Sequence, residues 1–399
     1  MHYLHLLLPL GLLLPFTASA QEQHITHQGL VRQYIVYEPS AYAGQSATPV
    51  VFVLHGGGGS ALVTQNFTRM NPVAEANGFL AVYPQGYTEN SSGFVWADGR
   101  GTAADAADID DVGFIDRLID SLQLQYNIDT TRLYACGFSN GGFMTQRLAC
   151  ELNGRFAAMA GLGCSMDVSL FADCEPEAPV PMLYVAGTAD PFVPYEGGFM
   201  NPNVAPIVPV DTAVQFWVRH NNCQTAAPTL SLPDLVQDDN STVEQLDFTD
   251  CDCGAEVRFF RVLGGGHTWP GVENPAIEPL LGETNEDIQA SEELWRFFEG
   301  FTNGCTPTAA PGLAAATDLT LRAFPNPFAE TLVLDFGRAL PAAASVRLYC
   351  LDGRAVLQRR IQAGVTQHRL PLPADLPAGV YLLRVLVNGR VLLAEVVRG

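Results

Sequence analysis

The chain has 399 residues, enough for one large domain and one small one. All 21 basic residues are Arg, which excludes Schiff-base and Ser-Lys chemistry. With 42 Asp and Glu the net charge is −21, and so acidic a surface repels nucleic acid and anionic membranes.

The charge is unevenly placed. Residues 1–305 hold 11 Arg against 36 acidic residues, whereas 306–399 hold 10 against 6, which marks two separate units. Met1 to Ala20 reads as a signal peptide: Leu6 to Leu14 is apolar, and Ala18-Ser19-Ala20 is a small-residue cleavage pattern before Gln21, although no Lys or Arg precedes the apolar core. That run is too short to span a bilayer, and no later one is long and apolar enough, so no membrane span is expected in the mature protein. An exported chain with nine cysteines implies disulfides and at least one unpaired cysteine. Cys251-Asp-Cys253 could be half of a metal site, but no His or Cys pair at ligand spacing accompanies it. Disulfide use is favoured, and neither a metal nor a cofactor is expected.

After a polar lead-in, Val31 to Tyr37 and Pro49 to Leu54 read as strands, the second an unbroken apolar run suited to a sheet buried on both faces. It ends in His55-Gly-Gly-Gly-Gly59-Ser60. Such a loop can cradle a phosphate, but the Lys of a P-loop is missing and the spacing differs. It fits better as one half of an oxyanion hole, with the N–H of Gly57 as donor. Phe79 to Tyr83 is another buried strand. From Asp111 a helix is expected, because Val112, Ile115, Leu118, Ile119, Leu122 and Tyr126 share a face at three- and four-residue spacing. Asp110 and Asp111 resemble catalytic carboxylates but stand where helix-start acids belong, so cap and dipole roles are favoured.

Leu133 to Cys136 is strand-like and runs into Gly137-Phe138-Ser139-Asn140-Gly141, then a helix through Met144 and Leu148. G-x-S-x-G after a strand is a nucleophile elbow: flanking glycines avoid collision with strand and helix, the hydroxyl stands exposed, and the N–H of Asn140 points towards an oxyanion. Pro181 to Ala186 is a strand followed by a loop holding Asp190. A helix over Asp211 to Asn221 and a polar, variable-looking stretch from Gln224 to Asp252 come next. Val257 to Leu263 then leads into Gly264-Gly-Gly-His267-Thr-Trp269. Alternating strands and helices give an α/β fold with a mostly parallel sheet, whose site lies beyond the carboxyl ends of the strands.

Of the eight histidines, only His267 follows a sheet strand on a glycine-rich loop able to bring an imidazole to Ser139. Ser139, Asp190 and His267 occur in the chain order of an α/β-hydrolase triad. His267 would relay the Ser139 proton to the leaving alcohol of an ester, and Asp190 would hold the imidazole. Phe138, Trp269 and Trp96 are aromatics near these motifs that could wall an acyl pocket or simply pack.

With Leu54-His-Gly-Gly-Gly-Gly-Ser60, Gly137 to Gly142, Gly187-Thr-Ala-Asp-Pro191 and Gly264 to Gly271, residues 28–300 resemble the poly(3-hydroxybutyrate) depolymerase and feruloyl esterase-like family of secreted serine esterases. The resemblance implies the same three catalytic residues and a disulfide between Cys223 and Cys251. It leaves open aryl esters on xylan, acetyl groups on xylan, or polyester. Plant cell-wall esters are the leading expectation, polyester the second. A surface-displayed binding protein that keeps a hydrolase fold without turnover is a third reading, from another class.

Cys305 to Ala316 is a Pro- and Ala-rich stretch, giving a linker over 306–318 between an esterase domain at 21–305 and a small domain at 319–399. In the latter, Val346 to Leu351 and Val380 to Val387 are strand-like, with turns at Asp352-Gly353 and Asn388-Gly389, which suggests a small Ig-like β-sandwich. Phe324-Pro-Asn-Pro-Phe328, Leu351-Asp-Gly-Arg354 and Leu376-Pro-Ala-Gly-Val-Tyr381 resemble the C-terminal sorting domain of type IX secretion cargo, although the basic residue near the end is Arg398. The resemblance implies export through the periplasm by that machinery to the cell surface or beyond.

Overall fold

A computed structural model describes residues 20–88, 93–200, 205–273, 278–303, 319–341, 343–350, 355–373, 376–387 and 390–399. Residues 1–19, the expected linker and both expected hairpin turns of the small domain lie outside them. The first part of the chain runs through β1 (Ala20–His27), β2 (Leu30–Tyr37), β3 (Thr48–Leu54), α1 (Ala61–Phe67), α2 (Met70–Asn77), β4 (Leu80–Pro84), α3 (Ala103–Ala106) and α4 (Asp111–Gln125). Next are β5 (Ile128–Phe138), α5 (Asn140–Glu151), β6 (Ala158–Leu162), α6 (Val168–Asp173), β7 (Met182–Gly187) and α7 (Val210–His220). The short β8 (Thr225–Ala226) and β9 (Leu230–Ser231) precede β10 (Thr242–Thr249), β11 (Val257–Leu263), α8 (Glu278–Leu281) and α9 (Ala290–Phe298).

These strands form one sheet in the order β1-β2-β4-β3-β5-β6-β7-β11-β10-β8, with β9 also on β10. The six from β4 to β11 are parallel. Alternation along β3 shows why its sequence is uniformly apolar. Val50, Phe52 and Leu54 enter the core beneath α4, α5 and α7, while Val51 and Val53 enter the opposite core beneath α1, α2 and α9. A strand covered on both faces has no polar side to display. This three-layer arrangement is the α/β-hydrolase architecture expected from the sequence.

Helix α4 buries Ile115, Leu118, Ile119 and Leu122 as its periodicity requires, and adds Phe114. Asp110 caps it, accepting the Gly113 N–H at 2.8 Å. Asp111 does more than face the helix dipole: it is fully buried, 2.5 Å from Arg32, and accepts the Ala97 N–H at 2.8 Å. The polar lead-in, to which the sequence alone assigns no element, is a strand. It is β1, an edge strand in register with β2 from Ala20 opposite Tyr37 to His27 opposite Leu30.

Residues 319–399 form a separate all-β unit. β12 (Arg322–Phe324), β13 (Thr331–Asp335) and β16 (Gln367–Pro371) make one antiparallel sheet. β14 (Ala344–Cys350), β15 (Ala355–Ile361), β17 (Gly379–Val387) and β18 (Arg390–Arg398) make the other. Leu332 and Leu334 of the first share a core with Val346, Leu348, Leu383 and Val385 of the second, as in a sandwich. No helix among the described residues is long and apolar enough to cross a membrane.

Cys223 is bonded to Cys251, closing the segment that carries β8, β9 and β10, and Cys150 is bonded to Cys174. Cys253 is oxidised as well. Cys136 and Cys164 are free and buried, and burial pushes both thiols up, out of the reactive range. Replacing Cys223 and Cys251 by Ser removes a cross-link across 28 positions. A loop of that size contributes about 3–4 kcal/mol in the chain-entropy account, so the urea midpoint of the variant should fall accordingly. An unchanged midpoint would show that the cross-link does not restrain the unfolded chain.

Candidate active site

The site is built where β5 meets α5. Ser139 is the single residue between them, and its backbone sits at φ 54°, ψ −121°, a conformation that side-chain-bearing residues rarely adopt. Its N–H is tied to the Leu162 carbonyl at 2.8 Å. The flanking glycines are sterically required. A Cβ at 137 would run into the Gly141 carbonyl, and one at 141 into the carbonyls of Leu54 and His55. The turn therefore brings α5 directly against the end of β3, where the glycine loop starts. Positions 56 and 57 lie within van der Waals reach of Ser139 and Asn140, with Cβ separations of 3.5 Å if Gly56 and Gly57 carried side chains.

Two backbone donors lie close to one another there. The N–H of Asn140 opens the first turn of α5, and the N–H of Gly57 lies between Gly56 and a Gly58 bonded to the Phe94 carbonyl. Neither makes a hydrogen bond among the described residues. Asn140 is held by its side chain, whose Oδ1 accepts the Trp96 N–H at 2.8 Å and whose Nδ2 donates to Asp98 at 2.5 Å.

The loops after β7 and β11 are stitched together. Ala189 N–H bonds the Gly265 carbonyl at 3.0 Å, and Gly264 N–H bonds Thr188 Oγ1 at 2.9 Å. This pairing sets Asp190 against His267, with Nδ1 and Oδ2 2.7 Å apart and both side chains almost wholly buried. Asp190 Oδ1 accepts the N–H groups of Phe192 and Val193 at 2.7 and 2.8 Å. A carboxylate held at both oxygens fixes the ring with its proton on Nδ1 and leaves Nε2 free to accept. Two phenyl rings neighbour the imidazole, Phe138 at 4.7 Å and Phe192 at 5.4 Å by centroids. Ser139 Oγ makes no hydrogen bond among the described residues, and hydrogen bonds between a nucleophile and its base commonly tighten only when substrate binds.

Of the three aromatics considered as pocket walls, only Phe138 retains exposed surface. Trp96 and Trp269 are completely buried, and their indole N–H groups are consumed by the His55 carbonyl and by Ser291. Both belong to packing. Phe192 was not singled out by sequence, yet it is 40% exposed beside the imidazole. Its only signal was its place two residues after Asp190.

Behind the elbow is a buried ion pair that spacing does not reveal. Arg100 bonds Asp98 through Nε and Nη2 at 3.0 and 2.6 Å and stacks on Phe143 with 3.6 Å from guanidinium to ring centre. Burial pushes the Asp98 carboxyl up, against the opposing pull of Arg100. Among the described residues no cluster of His, Cys, Asp and Glu could hold a metal ion.

Residues 32–172 match the family described as Esterase PHB depolymerase, and 322–397 match the Secretion system C-terminal sorting domain. NocK of Nocardia uniformis, whose name carries esterase as a provisional assignment, is 29% identical over 71% of this chain and 83% of its own length. The Bifunctional acetylxylan esterase/xylanase XynS20E of Neocallimastix patriciarum is 29% identical over 60% of this chain but 31% of its own length. The Probable feruloyl esterase C of Aspergillus clavatus is 30% identical over 67% of this chain and 83% of its own length.

Replacing Arg100 by Met would leave the Asp98 carboxylate buried without its cation, a change that typically costs about 3–5 kcal/mol. Without Arg100 the folded-state pKa of Asp98 rises further above its unfolded value. The deficit should therefore be small at acid pH, where Asp98 is neutral in both states, and grow as pH rises. Chemical denaturation between pH 4 and 8 checks this, and a deficit independent of pH would contradict it.

Proposed function

This chain belongs to the Esterase PHB depolymerase family of carboxylic ester hydrolases, and from that premise we propose that it cleaves feruloyl or acetyl esters of plant cell-wall xylan through an acyl-enzyme on Ser139. The observation that carries the mechanism is a serine at positive φ on a strand-to-helix turn, at the same end of the sheet as an imidazole whose Nδ1 is 2.7 Å from a buried carboxylate. In this mechanism Ser139 Oγ attacks the ester carbonyl as His267 Nε2 takes its proton. The tetrahedral oxyanion is held by the Asn140 and Gly57 N–H groups, each such donor supplying roughly 3 kcal/mol. Collapse expels the alcohol, protonated by His267, and water activated by the same imidazole releases the acid. Asp190 keeps the ring in its productive tautomer throughout.

The names of two relatives, an acetylxylan esterase/xylanase and a probable feruloyl esterase, support xylan esters as substrates. Phe138 and Phe192, both beside the imidazole, supply apolar surface for an aryl or acetyl group. The family description supports polyester as the second substrate class. The C-terminal sorting domain supports a location outside the cell or at its surface, with delivery by the type IX machinery as the proposed route. We assign 21–305 to the esterase unit, 306–318 to a linker and 319–399 to the sorting unit.

The test compares the full chain, a chain ending at Cys305 and Ser139→Ala on methyl ferulate, acetylated xylan and poly(3-hydroxybutyrate). Both active forms should release ferulate or acetate, and Ser139→Ala should be slower by about 10⁴-fold or more. Release from the polyester alone would move the substrate class. Turnover surviving in Ser139→Ala would sink the triad.

A further inference from the structure

His55 stands next to the glycine loop, yet the mechanism above gives it no task. It is completely buried at the end of β3, and both ring nitrogens are engaged. Nε2 receives the Gly86 backbone N–H at 2.9 Å and faces the Gln85 side-chain amide nitrogen at 3.2 Å. The Gln85 amide is oriented from its other end, where Oε1 accepts the Ala61 N–H at 3.0 Å. Two donors on Nε2 leave no place for a proton, so the neutral ring carries it on Nδ1. That Nδ1–H donates to the Gly56 carbonyl at 2.8 Å. Burial pushes the imidazole down to about 4, which keeps this tautomer at neutral pH.

The Gly56 carbonyl accepts a second bond, from the Gly59 N–H at 3.0 Å. A peptide unit is planar, and in the trans form its N–H points opposite its carbonyl. Fixing the Gly56 oxygen from one side therefore aims the Gly57 N–H to the other, at a position that lies against Asn140. The fixing matters because four successive glycines place few steric limits on peptide rotation. The ring is itself held, lying 4.8 Å from the Trp96 ring, whose Nε1–H bonds the His55 carbonyl at 2.9 Å.

We propose that His55 is a positioning residue for the oxyanion hole, orienting the Gly57 N–H by holding the Gly56 carbonyl from behind. The proposal rests on the reading of Gly57 as an oxyanion donor. Two substitutions in the full chain separate the two ends of the ring. His55→Asn brings an amide donor to the place of Nδ1 and can still hold Gly56. His55→Gln reaches the place of Nε2, can accept from Gly86, and leaves Gly56 to Gly59 alone. His55→Phe is a second variant without a donor, keeping the stack on Trp96.

The readouts are kcat and KM for 4-nitrophenyl acetate and the inhibition constant of an aryl trifluoromethyl ketone, whose serine adduct carries an oxyanion. Removing an oxyanion donor outright costs about 10²–10³-fold in kcat. His55→Gln and His55→Phe should lose about 10- to 100-fold in kcat with little change in KM. They should weaken the ketone by a similar factor, while His55→Asn recovers most of both. Equal losses in the Asn and Gln variants, or a fall in kcat with the ketone affinity unchanged, would overturn the proposal. Ser139→Ala in the same assay separates the two readings. If it is inactive while His55→Gln behaves as wild type, only the role of His55 fails; if it is active, the site reading fails first.

Discussion

Between β5 and α5 the chain reverses with no space for a side chain at 137 or 141, and the rest of the site follows from that restriction. Because α5 can lie directly on the end of β3, the N–H of Asn140 and the glycine loop after β3 come within reach of each other. Because Ser139 alone bridges strand and helix, its backbone must take a positive φ, and the strain is held by bonds on both sides. Its N–H is tied to β6 through Leu162, and its carbonyl accepts from Phe143 in α5. A turn held this firmly can present one hydroxyl in one place, which positional catalysis requires.

The same economy of space recurs in the loops after β7 and β11. Gly187 sits where a Cβ would meet the Gly265 carbonyl, and Gly163 admits the His267 ring, whose atoms would lie 3.2 Å from a Cβ there. Neighbouring buried charges are compensated locally despite the strongly acidic surface: Asp98 by Arg100, Asp111 by Arg32, and Asp190 by His267 together with two backbone N–H groups. Each is a case where removing one partner costs more than the pair contributes. An arginine scaffold suits these sites, because both guanidinium groups also pack on aromatic rings, Arg32 on Phe114 and Arg100 on Phe143.

Elements with strong periodicity or glycine punctuation were legible in the sequence. The strands around the elbow, the face of α4, the elbow itself and the order of the three catalytic candidates could be read because each depends on local composition. What escaped depends on distant partners. β1 is polar and takes shape only by pairing with β2, and β10 lies in a stretch without apolar alternation, stabilised by β11 and closed off by the Cys223–Cys251 bridge. Asp98 and Arg100 belong to no motif or periodic run, and their pairing depends on the loop that carries them folding against Asn140 and Phe143 of α5. Trp96 and Trp269 sit close to the motifs in sequence, but their rings turn into the cores on either side of the sheet. Phe192, with no pattern of its own, is brought to the imidazole by the turn that Asp190 caps.

The central claim is that the turn at Ser139 presents an activated nucleophile. Its most direct test is intact-mass analysis of the folded full chain after exposure to a fluorophosphonate, followed by peptide mapping. The account predicts one adduct, on Ser139, formed much more slowly when His267 is replaced by Ala. Folded protein that takes up no label, or takes it up on another serine, would contradict it.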